Sequence, residues 1–201
     1  MSDFTVIDLL RHGEPEGGQK FRGAVDDPLS PRGWDQMRAA VGDFRDWQVI
    51  VSSPLVRCAA FARELAGRLD RPLEIVPDFV ELSFGVWEGR GVAEVNATEP
   101  DGLARFWRDP VACPIPAGEP VADFDRRIGR AWEAMLERHL GRHLLLIAHG
   151  GVIRMVLRRL LEMPVKRIWR IEVPYAAVSR IRRHRDADAE PHLVFHNGRL
   201  A

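Results

Sequence analysis

The stretch Leu144-Leu145-Leu146-Ile147-Ala148-His149-Gly150-Gly151 decides the fold of this chain. Its unbroken apolar run predicts a strand that is buried on both faces, which is typical of α/β proteins. A second segment has the same layout, because residues 4–10 read as a buried strand that leads directly into Arg11-His12-Gly13. Ligands of open α/β sheets bind beyond the carboxyl ends of the strands. Both histidines are therefore expected at a binding site.

Strand-like and helix-like segments alternate along the chain without a repeat or a long linker. This alternation predicts a three-layer α/β/α fold with a mostly parallel sheet, and a single domain over residues 1–201. Further strands are predicted at residues 49–51, 73–76, 168–173, 178–181 and 193–195. Helices are predicted after Ser30-Pro31, after Ser52-Ser53-Pro54, around residues 103–107, over residues 121–140 and after Gly150-Gly151.

The charge balance excludes some classes of function. Lys plus Arg and Asp plus Glu both total 29, so the formal net charge is zero, which argues against a general binder of polyanions. We therefore expect a small-molecule partner, and neither nucleic acid nor a membrane. Cys58 and Cys113 provide no disulfide framework, and the first ten residues lack a signal-peptide pattern. A cytoplasmic location is expected from these two features.

Charged residues collect where the strands are predicted to end. The helix that follows residues 49–51 carries Arg57 near its start, and helix starts attract anions through unpaired N–H groups and the macrodipole. The forked guanidinium of Arg57 suits phosphate oxygens. Arg11, His12 and His149 are expected at the same edge of the sheet. The sequence thus predicts an anion pocket with a potential nucleophile, and a phosphate ester fits both features.

Several segments, in order along the chain, resemble the histidine phosphatase superfamily, also called phosphoglycerate mutase-like. They are Leu10-Arg11-His12-Gly13-Glu14, residues 22–30 beginning with Arg22-Gly23, Ser52-Ser53-Pro54-Leu55-Val56-Arg57, residues 81–89 beginning with Glu81-Leu82, and Ala148-His149-Gly150-Gly151. Each segment alone is a weak signal, and their shared order makes the resemblance specific. The resemblance implies a phosphoglycerate mutase-like fold.

The resemblance also implies catalytic roles. It implies that His12 attacks phosphorus to form a phosphohistidine and that Glu81 protonates the leaving alkoxide. Contacts to the phosphoryl group are implied for Arg11, Arg57, His149, Gly150, Arg22 and Gly23. Cationic arginines beside His12 favour its neutral, nucleophilic form and stabilise the negative charge of the transferred group. The scheme requires no metal and no other cofactor.

Some details depart from the family pattern or stay open. Many relatives carry Ser or Thr and Asn where this chain has Pro15 and Gly18, so the loop at residues 16–22 is expected to bind phosphate through backbone N–H groups or through Arg22. Glu14 and Glu88 are alternatives to Glu81 as the proton donor. Among the aromatic residues Phe84, Trp87, Phe106 and Trp107, at least two are expected in the core. His139 and His143 are not expected to bind a metal, and residues 180–185 are expected to form a solvated hairpin face.

The sequence predicts a phosphomonoesterase, a histidine acid-type phosphatase that acts on a small organic phosphate. Within the family the resemblance is nearest to α-ribazole phosphatase-type members, so α-ribazole 5′-phosphate is one candidate substrate. Phosphoglycerate mutase-type phosphotransfer is an alternative, although a 201-residue chain leaves little room for the insertions that mutases usually carry. A non-catalytic phosphate-binding scaffold is another alternative. The oligomeric state stays open, a homodimer included.

Overall fold

One six-stranded sheet forms the centre of the computed structural model, which describes residues 2–186 and 189–200. Its strands are β1 (Phe4–Arg11), β2 (Val49–Ser52), β3 (Leu73–Ile75), β4 (His143–Ala148), β5 (Val178–His184) and β6 (His192–Gly198). Their order across the sheet is β3-β2-β4-β1-β5-β6. The first four strands in that order are parallel, whereas β5 and β6 are antiparallel to their neighbours. The predicted mostly parallel sheet is confirmed.

Six α-helices and three 3-10 helices accompany the sheet within the described residues. The α-helices are α1 (Pro31–Val41), α2 (Val56–Leu69), α3 (Val92–Thr98), α4 (Pro100–Arg108), α5 (Val121–Arg138) and α6 (Gly150–Leu160). Ser30 caps α1 as the sequence predicts, since its Oγ accepts a hydrogen bond from the Gly33 N–H at 3.0 Å. In the same part of the chain, no helix combines the length and the apolar composition that crossing a membrane requires.

The sheet separates two apolar cores. Leu144 and Leu146 of β4 point into a core shared with α5 and α6, whereas Leu145 and Ile147 point into a core shared with α1 and α2. Successive side chains of a strand face opposite sides of the sheet, so an unbroken apolar run is required where both sides are covered. This arrangement is the α/β/α sandwich predicted from the sequence.

One predicted strand is wrong. Residues 168–173 do not join the sheet, and the chain forms a 3-10 helix at Val165–Arg170 instead. The buried side chains Ile168 and Ile171 are three residues apart, which matches the three-residue turn of a 3-10 helix rather than the alternation of a strand. The neighbouring position along β1 is taken by β5, so the sheet offers this segment no partner there.

The predicted solvated face at residues 180–185 also needs correction, because Arg180 reaches inward to Asp8 of β1. Its Nε lies 2.7 Å from Asp8 Oδ1, and the fully buried carboxylate also accepts hydrogen bonds from Trp47 and His143. Burial alone would raise the pKa of Asp8, but these hydrogen bonds outweigh it and lower the pKa. His143 is thus part of the hydrogen-bond network around Asp8. Residues 187 and 188, inside the predicted hairpin turn, lie outside the described residues.

Candidate active site

The carboxyl ends of three neighbouring parallel strands meet at one edge of the sheet. β1 ends at Arg11 and leads into His12, β4 leads into His149, and β2 leads into Ser53. The register of β1 and β4 places Arg11 opposite Ala148. Both Arg-His-Gly and His-Gly-Gly therefore leave the sheet side by side, as the sequence predicts.

His12 lies at the base of a cavity of about 430 Å³. The Nδ1–H of its imidazole donates to the Gly13 carbonyl oxygen at 2.7 Å, which leaves the Nε2 lone pair available. The side chain is buried, and burial lowers its pKa well below the usual 6.5, helped by the charges of Arg11 and Arg57. A neutral imidazole with one fixed nitrogen and one free nitrogen can act as a nucleophile.

This pKa predicts how activity depends on pH. A nucleophilic imidazole works only when it is neutral, and His12, with its lowered pKa, stays neutral as the pH falls through 6.5. We expect kcat/KM to be retained below that pH and lost only in more acidic solution, once the other titrating groups are accounted for. A pH profile of kcat/KM for p-nitrophenyl phosphate measures this. A decline centred on the ordinary histidine pKa would contradict the environment described for His12.

Arg11 carries an unpaired hydrogen-bond donor at the cavity. Its NH1 donates to the Val173 carbonyl oxygen at 2.5 Å, and its guanidinium stacks 4.1 Å above the centre of the Tyr175 ring. The buried Nε has no hydrogen-bond partner among the described residues. Burial lowers the pKa of Arg11, against the opposing charge of Glu81. A buried, unpaired guanidinium favours binding of an anion, which restores the missing interaction.

Arg57 and His149 form a buried pair next to His12, and neither side chain lines the cavity. The centres of the two imidazole rings are 5.2 Å apart. Arg57 Nε donates to His149 Nδ1 at 3.3 Å, so the His149 Nε2–H donates to Ser53 Oγ at 2.7 Å. Burial, followed by the charge of Arg57, lowers the pKa of His149 well below its usual value and keeps it neutral. The remaining Arg57 donors bind backbone carbonyls, including that of Val25 at 2.7 Å.

Among the described residues, Glu81 is the one carboxylate that lines the cavity. Its Oε2 accepts a hydrogen bond from the Gly151 N–H at 2.9 Å, and its Oε1 accepts one from its neighbour Leu82 at 2.9 Å. These contacts hold the carboxylate against the first turn of α6. Glu88 is less suited to proton transfer because it lies outside the cavity lining, where backbone N–H groups of residues 23–25 and 84 hold its oxygens. Glu14 lies outside the cavity lining and its Oε2 is 3.6 Å from an Arg32 nitrogen.

Gly151 leaves room for the Glu81 carboxylate. A Cβ at this position would overlap Glu81 Oε1, so Gly151→Ala is expected to displace the carboxylate. We expect hydrolysis of alkyl phosphates to fall by roughly 10²-fold or more, comparable to the loss of a general acid. Thermal stability should hold, because alanine is the better helix former by about 1 kcal/mol. Gly67→Ala in α2 is the matched control, since a Cβ there meets nothing within 4 Å. Equal activity of the two variants would contradict the role of this contact.

The other predicted phosphate ligands occupy different positions. Gly150, the first residue of α6, lines the cavity next to Arg11. Arg22 also lines it, but its donors hold the loop together through Asp27 and the carbonyls of residues 16 and 18. The Gly23 N–H is bound by Glu88 and lies outside the cavity lining. The structure thus brings Gly150 and Arg22 to the cavity, but not Gly23.

Aromatic side chains form one wall of the cavity. Phe21, Phe84, Trp107 and Trp169 line it, whereas Trp87 and Phe106 are buried in the core behind that wall. The expectation that at least two of the four aromatic residues named from the sequence belong to the core is confirmed. This wall makes the cavity apolar on one side and cationic on the other.

Sequence reasoning missed several residues at the cavity, among them Tyr175, Trp169 and Arg154. Trp169 lies within residues 168–173, which the sequence predicts as a strand, and Tyr175 follows that segment. The positions of these two residues at the cavity therefore could not be derived from the sequence. Arg154 had a usable signal, because it lies four residues after Gly150 on a helix and therefore on the same face. Its guanidinium carbon lies 5.5 Å from the centre of the Trp169 ring. Among the described residues, no cluster of three or more acidic, histidine or cysteine side chains could hold a metal ion.

Comparison with known proteins identifies relatives over nearly the whole chain. Residues 7–195 match the histidine phosphatase superfamily (branch 1). Over 201 residues the chain is 30% identical to the bifunctional protein Rv2228c of Mycobacterium tuberculosis, covering 98% of this chain and 55% of that protein. It is 28% identical to the adenosylcobalamin/alpha-ribazole phosphatase of Salmonella typhimurium, covering 86% of this chain and 88% of that protein.

A solved structure is also similar. The native mycobacterial glucosyl-3-phosphoglycerate phosphatase Rv2419c has a TM-score of 0.83 and 25% sequence identity, covering 96% of this chain and 99% of that one. The chain spans about half the length of some of its curated relatives, as the 55% coverage of Rv2228c shows. The similar proteins include phosphatases with different named substrates.

Proposed function

The chain belongs to branch 1 of the histidine phosphatase superfamily, and from that premise we propose that it hydrolyses small organic phosphomonoesters through a covalent phosphohistidine. The observation that carries this proposal is the environment of His12. Its imidazole is kept neutral by burial and by two arginines, its Nδ1 is fixed by the Gly13 carbonyl, and it lines the cavity. These are the properties of a nucleophile for phosphoryl transfer.

The first half-reaction forms the N–P bond. His12 Nε2 attacks phosphorus, and the bond between phosphorus and the ester oxygen breaks. Arg11 and the backbone at Gly150 bind the phosphoryl oxygens as negative charge develops on them. Arg57 and His149 lie next to His12. Arg57 adds positive charge near the phosphoryl group, and the neutral His149 adds the dipole of its imidazole ring. Protonated Glu81 gives its proton to the departing alkoxide, which leaves as the alcohol.

The second half-reaction releases phosphate. Water attacks the phosphorus of the phosphohistidine, and Glu81, now ionised, accepts one proton from that water. The N–P bond breaks, so inorganic phosphate leaves and His12 returns to its neutral form. This sequence balances without a metal or another cofactor. We assign it to a single domain over residues 1–201, supported by the one continuous sheet that holds β1 to β6.

We also propose that the chain belongs to the acid-type subclass of histidine phosphatases. Two alternatives to hydrolysis differ in the fate of the phosphoryl group. A mutase returns the group to an organic acceptor, whereas a non-catalytic scaffold binds phosphate without turnover. The combination of a poised His12, an unpaired Arg11 donor and Glu81 at one cavity favours turnover. Incubation with 3-phosphoglycerate separates the first alternative, because only a mutase produces 2-phosphoglycerate.

A panel of phosphomonoesters tests the proposal. We expect metal-independent hydrolysis of p-nitrophenyl phosphate in the presence of EDTA, across the acid to neutral range. The names of the relatives direct the physiological part of the panel, so kcat/KM is compared for α-ribazole 5′-phosphate and glucosyl-3-phosphoglycerate. Folded protein that releases no phosphate from any ester, yet binds inorganic phosphate, would leave only the scaffold.

A further inference from the structure

Arg154 projects into the cavity, and the proposed half-reactions give it no task. It lies on α6, one turn after Gly150. Its Nε donates to the Ile171 carbonyl oxygen at 2.8 Å, and its guanidinium lies against the Trp169 ring. These two contacts fix the base of the guanidinium against the cavity wall. The two terminal nitrogens make no hydrogen bond to any described residue.

Arg154 also lacks an acidic partner. Within the described ranges no carboxylate makes an ion pair with it, although the charges of Glu81 and Glu172 act on it from farther away. Arg11 shares this lack, whereas Lys20 and Arg22 both pair with Asp27. Burial lowers the pKa of Arg154. A partly buried guanidinium without a counter-ion is costly, and an anionic ligand offsets that cost.

The position of Arg154 defines where that anion lies. A Cβ placed on Gly150 would be 3.1 Å from Arg154 NH1 and 3.5 Å from Arg11 Nε, so both guanidinium groups reach the first turn of α6. Arg11 faces the proposed nucleophile. Arg154 packs against Trp169 of the aromatic wall, and the charge of Glu81 acts on it, so it can bind an anion carried by an alcohol that Glu81 protonates.

We propose that Arg154 is a specificity-determining residue that binds a carboxylate carried by the leaving alcohol, a few bonds from the ester oxygen. The inference rests on the proposed phosphomonoesterase function. A planar guanidinium pairs with a carboxylate through two parallel hydrogen bonds, which gives selectivity for charge and for geometry. The aromatic wall contacts the apolar part of the same alcohol. The preferred substrates are therefore phosphate esters of hydroxy acids.

Two matched substrate pairs test this inference. O-Phosphoserine carries a carboxylate that phosphoethanolamine lacks. In the second pair, 3-phosphoglycerate has a carboxylate where glycerol 3-phosphate has a neutral hydroxymethyl group. The wild-type protein is expected to favour the carboxylate member of each pair in kcat/KM. In Arg154→Met the loss for the carboxylate ester should exceed the loss for its neutral partner by roughly 10- to 100-fold, the range for a hydrogen bond to a charged group.

Control variants sharpen the result. Arg154→Lys keeps the charge without the fork and should recover part of the preference. Arg63→Met removes an exposed arginine from α2 and should leave the ratio within each pair unchanged. Equal losses for both members in Arg154→Met, or a wild-type protein without any preference, would overturn the inference. Failure to hydrolyse even p-nitrophenyl phosphate would instead reject the proposed function itself.

Discussion

His12→Ala is expected to lower kcat for every phosphate ester by about 10⁴- to 10⁶-fold, the range seen when a covalent nucleophile is removed. The reason is that the two other buried side chains next to His12 that could act as nucleophiles are unsuited to the attack. The nitrogens of His149 are engaged with Arg57 and Ser53. The buried Cys58 thiol has its pKa raised by burial, so it is not a thiolate near neutral pH. Phosphate release from p-nitrophenyl phosphate under single-turnover and steady-state conditions measures the loss.

The control for His12→Ala is His192→Ala, which removes an exposed histidine from β6. The wild-type protein and the control should both form a phosphoryl adduct that is labile in acid and stable in alkali, as a phosphohistidine is. His12→Ala should form none. A variant that keeps most of the wild-type rate, or that still forms the adduct, would show that the nucleophile is another residue.

Motifs at strand ends were the part of the site that the sequence could predict. Arg11-His12-Gly13 and His149-Gly150-Gly151 are each tied to a buried strand, and parallel strands end at the same edge of a sheet. The shared edge of parallel strands therefore predicts that these residues lie together, without any information on side-chain packing. The glycine of the first motif has a clear reason, since a Cβ on Gly13 would overlap the Gly33 carbonyl oxygen where the loop meets α1.

Contacts that depend on packing could not be predicted. Trp169 and Tyr175 reach the cavity because the 3-10 helix at Val165–Arg170 packs on α6, whereas the apolar spacing of that segment predicts a strand. The pairing of Arg180 with Asp8 joins two strands that are 172 residues apart in sequence. Hydropathy treats an arginine as exposed and cannot show which carboxylate it reaches.

The two sides of the cavity differ in how far the sequence predicts their residues. Its phosphoryl side is built from strand ends and the start of α6, so its residues are recognisable as short motifs. Its proposed leaving-group side is built from the segment between β3 and α5, which includes α4, and from the 3-10 helix after α6. The proposed chemistry is therefore readable from the sequence of this chain, whereas the proposed substrate selection depends on the positions of Trp107, Trp169 and Arg154.

Glu81→Gln is expected to lower kcat/KM for alkyl phosphates by roughly 10²- to 10⁴-fold, the usual contribution of a positioned general acid. Glutamine keeps the side-chain volume and can still accept the hydrogen bond from Gly151 through its carbonyl oxygen. It cannot supply the proton that an alkoxide needs to leave. The loss should be much smaller for p-nitrophenyl phosphate, because nitrophenolate is stable as an anion. A series of esters with leaving groups of increasing basicity measures this difference. In the variant, kcat/KM should fall more steeply with leaving-group basicity than it does in the wild-type protein.

The dependence on the leaving group separates Glu81 from the two other candidate acids. Glu14→Gln removes a carboxylate that faces Arg32 outside the cavity, so it should keep the shallow wild-type dependence. Glu88→Gln should weaken the backbone contacts of residues 23–25 and lower stability, again without steepening the dependence. If Glu81→Gln loses the same small factor with alkyl and aryl esters, the proton comes from elsewhere. The Gly151 N–H would then serve to orient Glu81 as a structural carboxylate, and Gly151→Ala would affect stability more than rate.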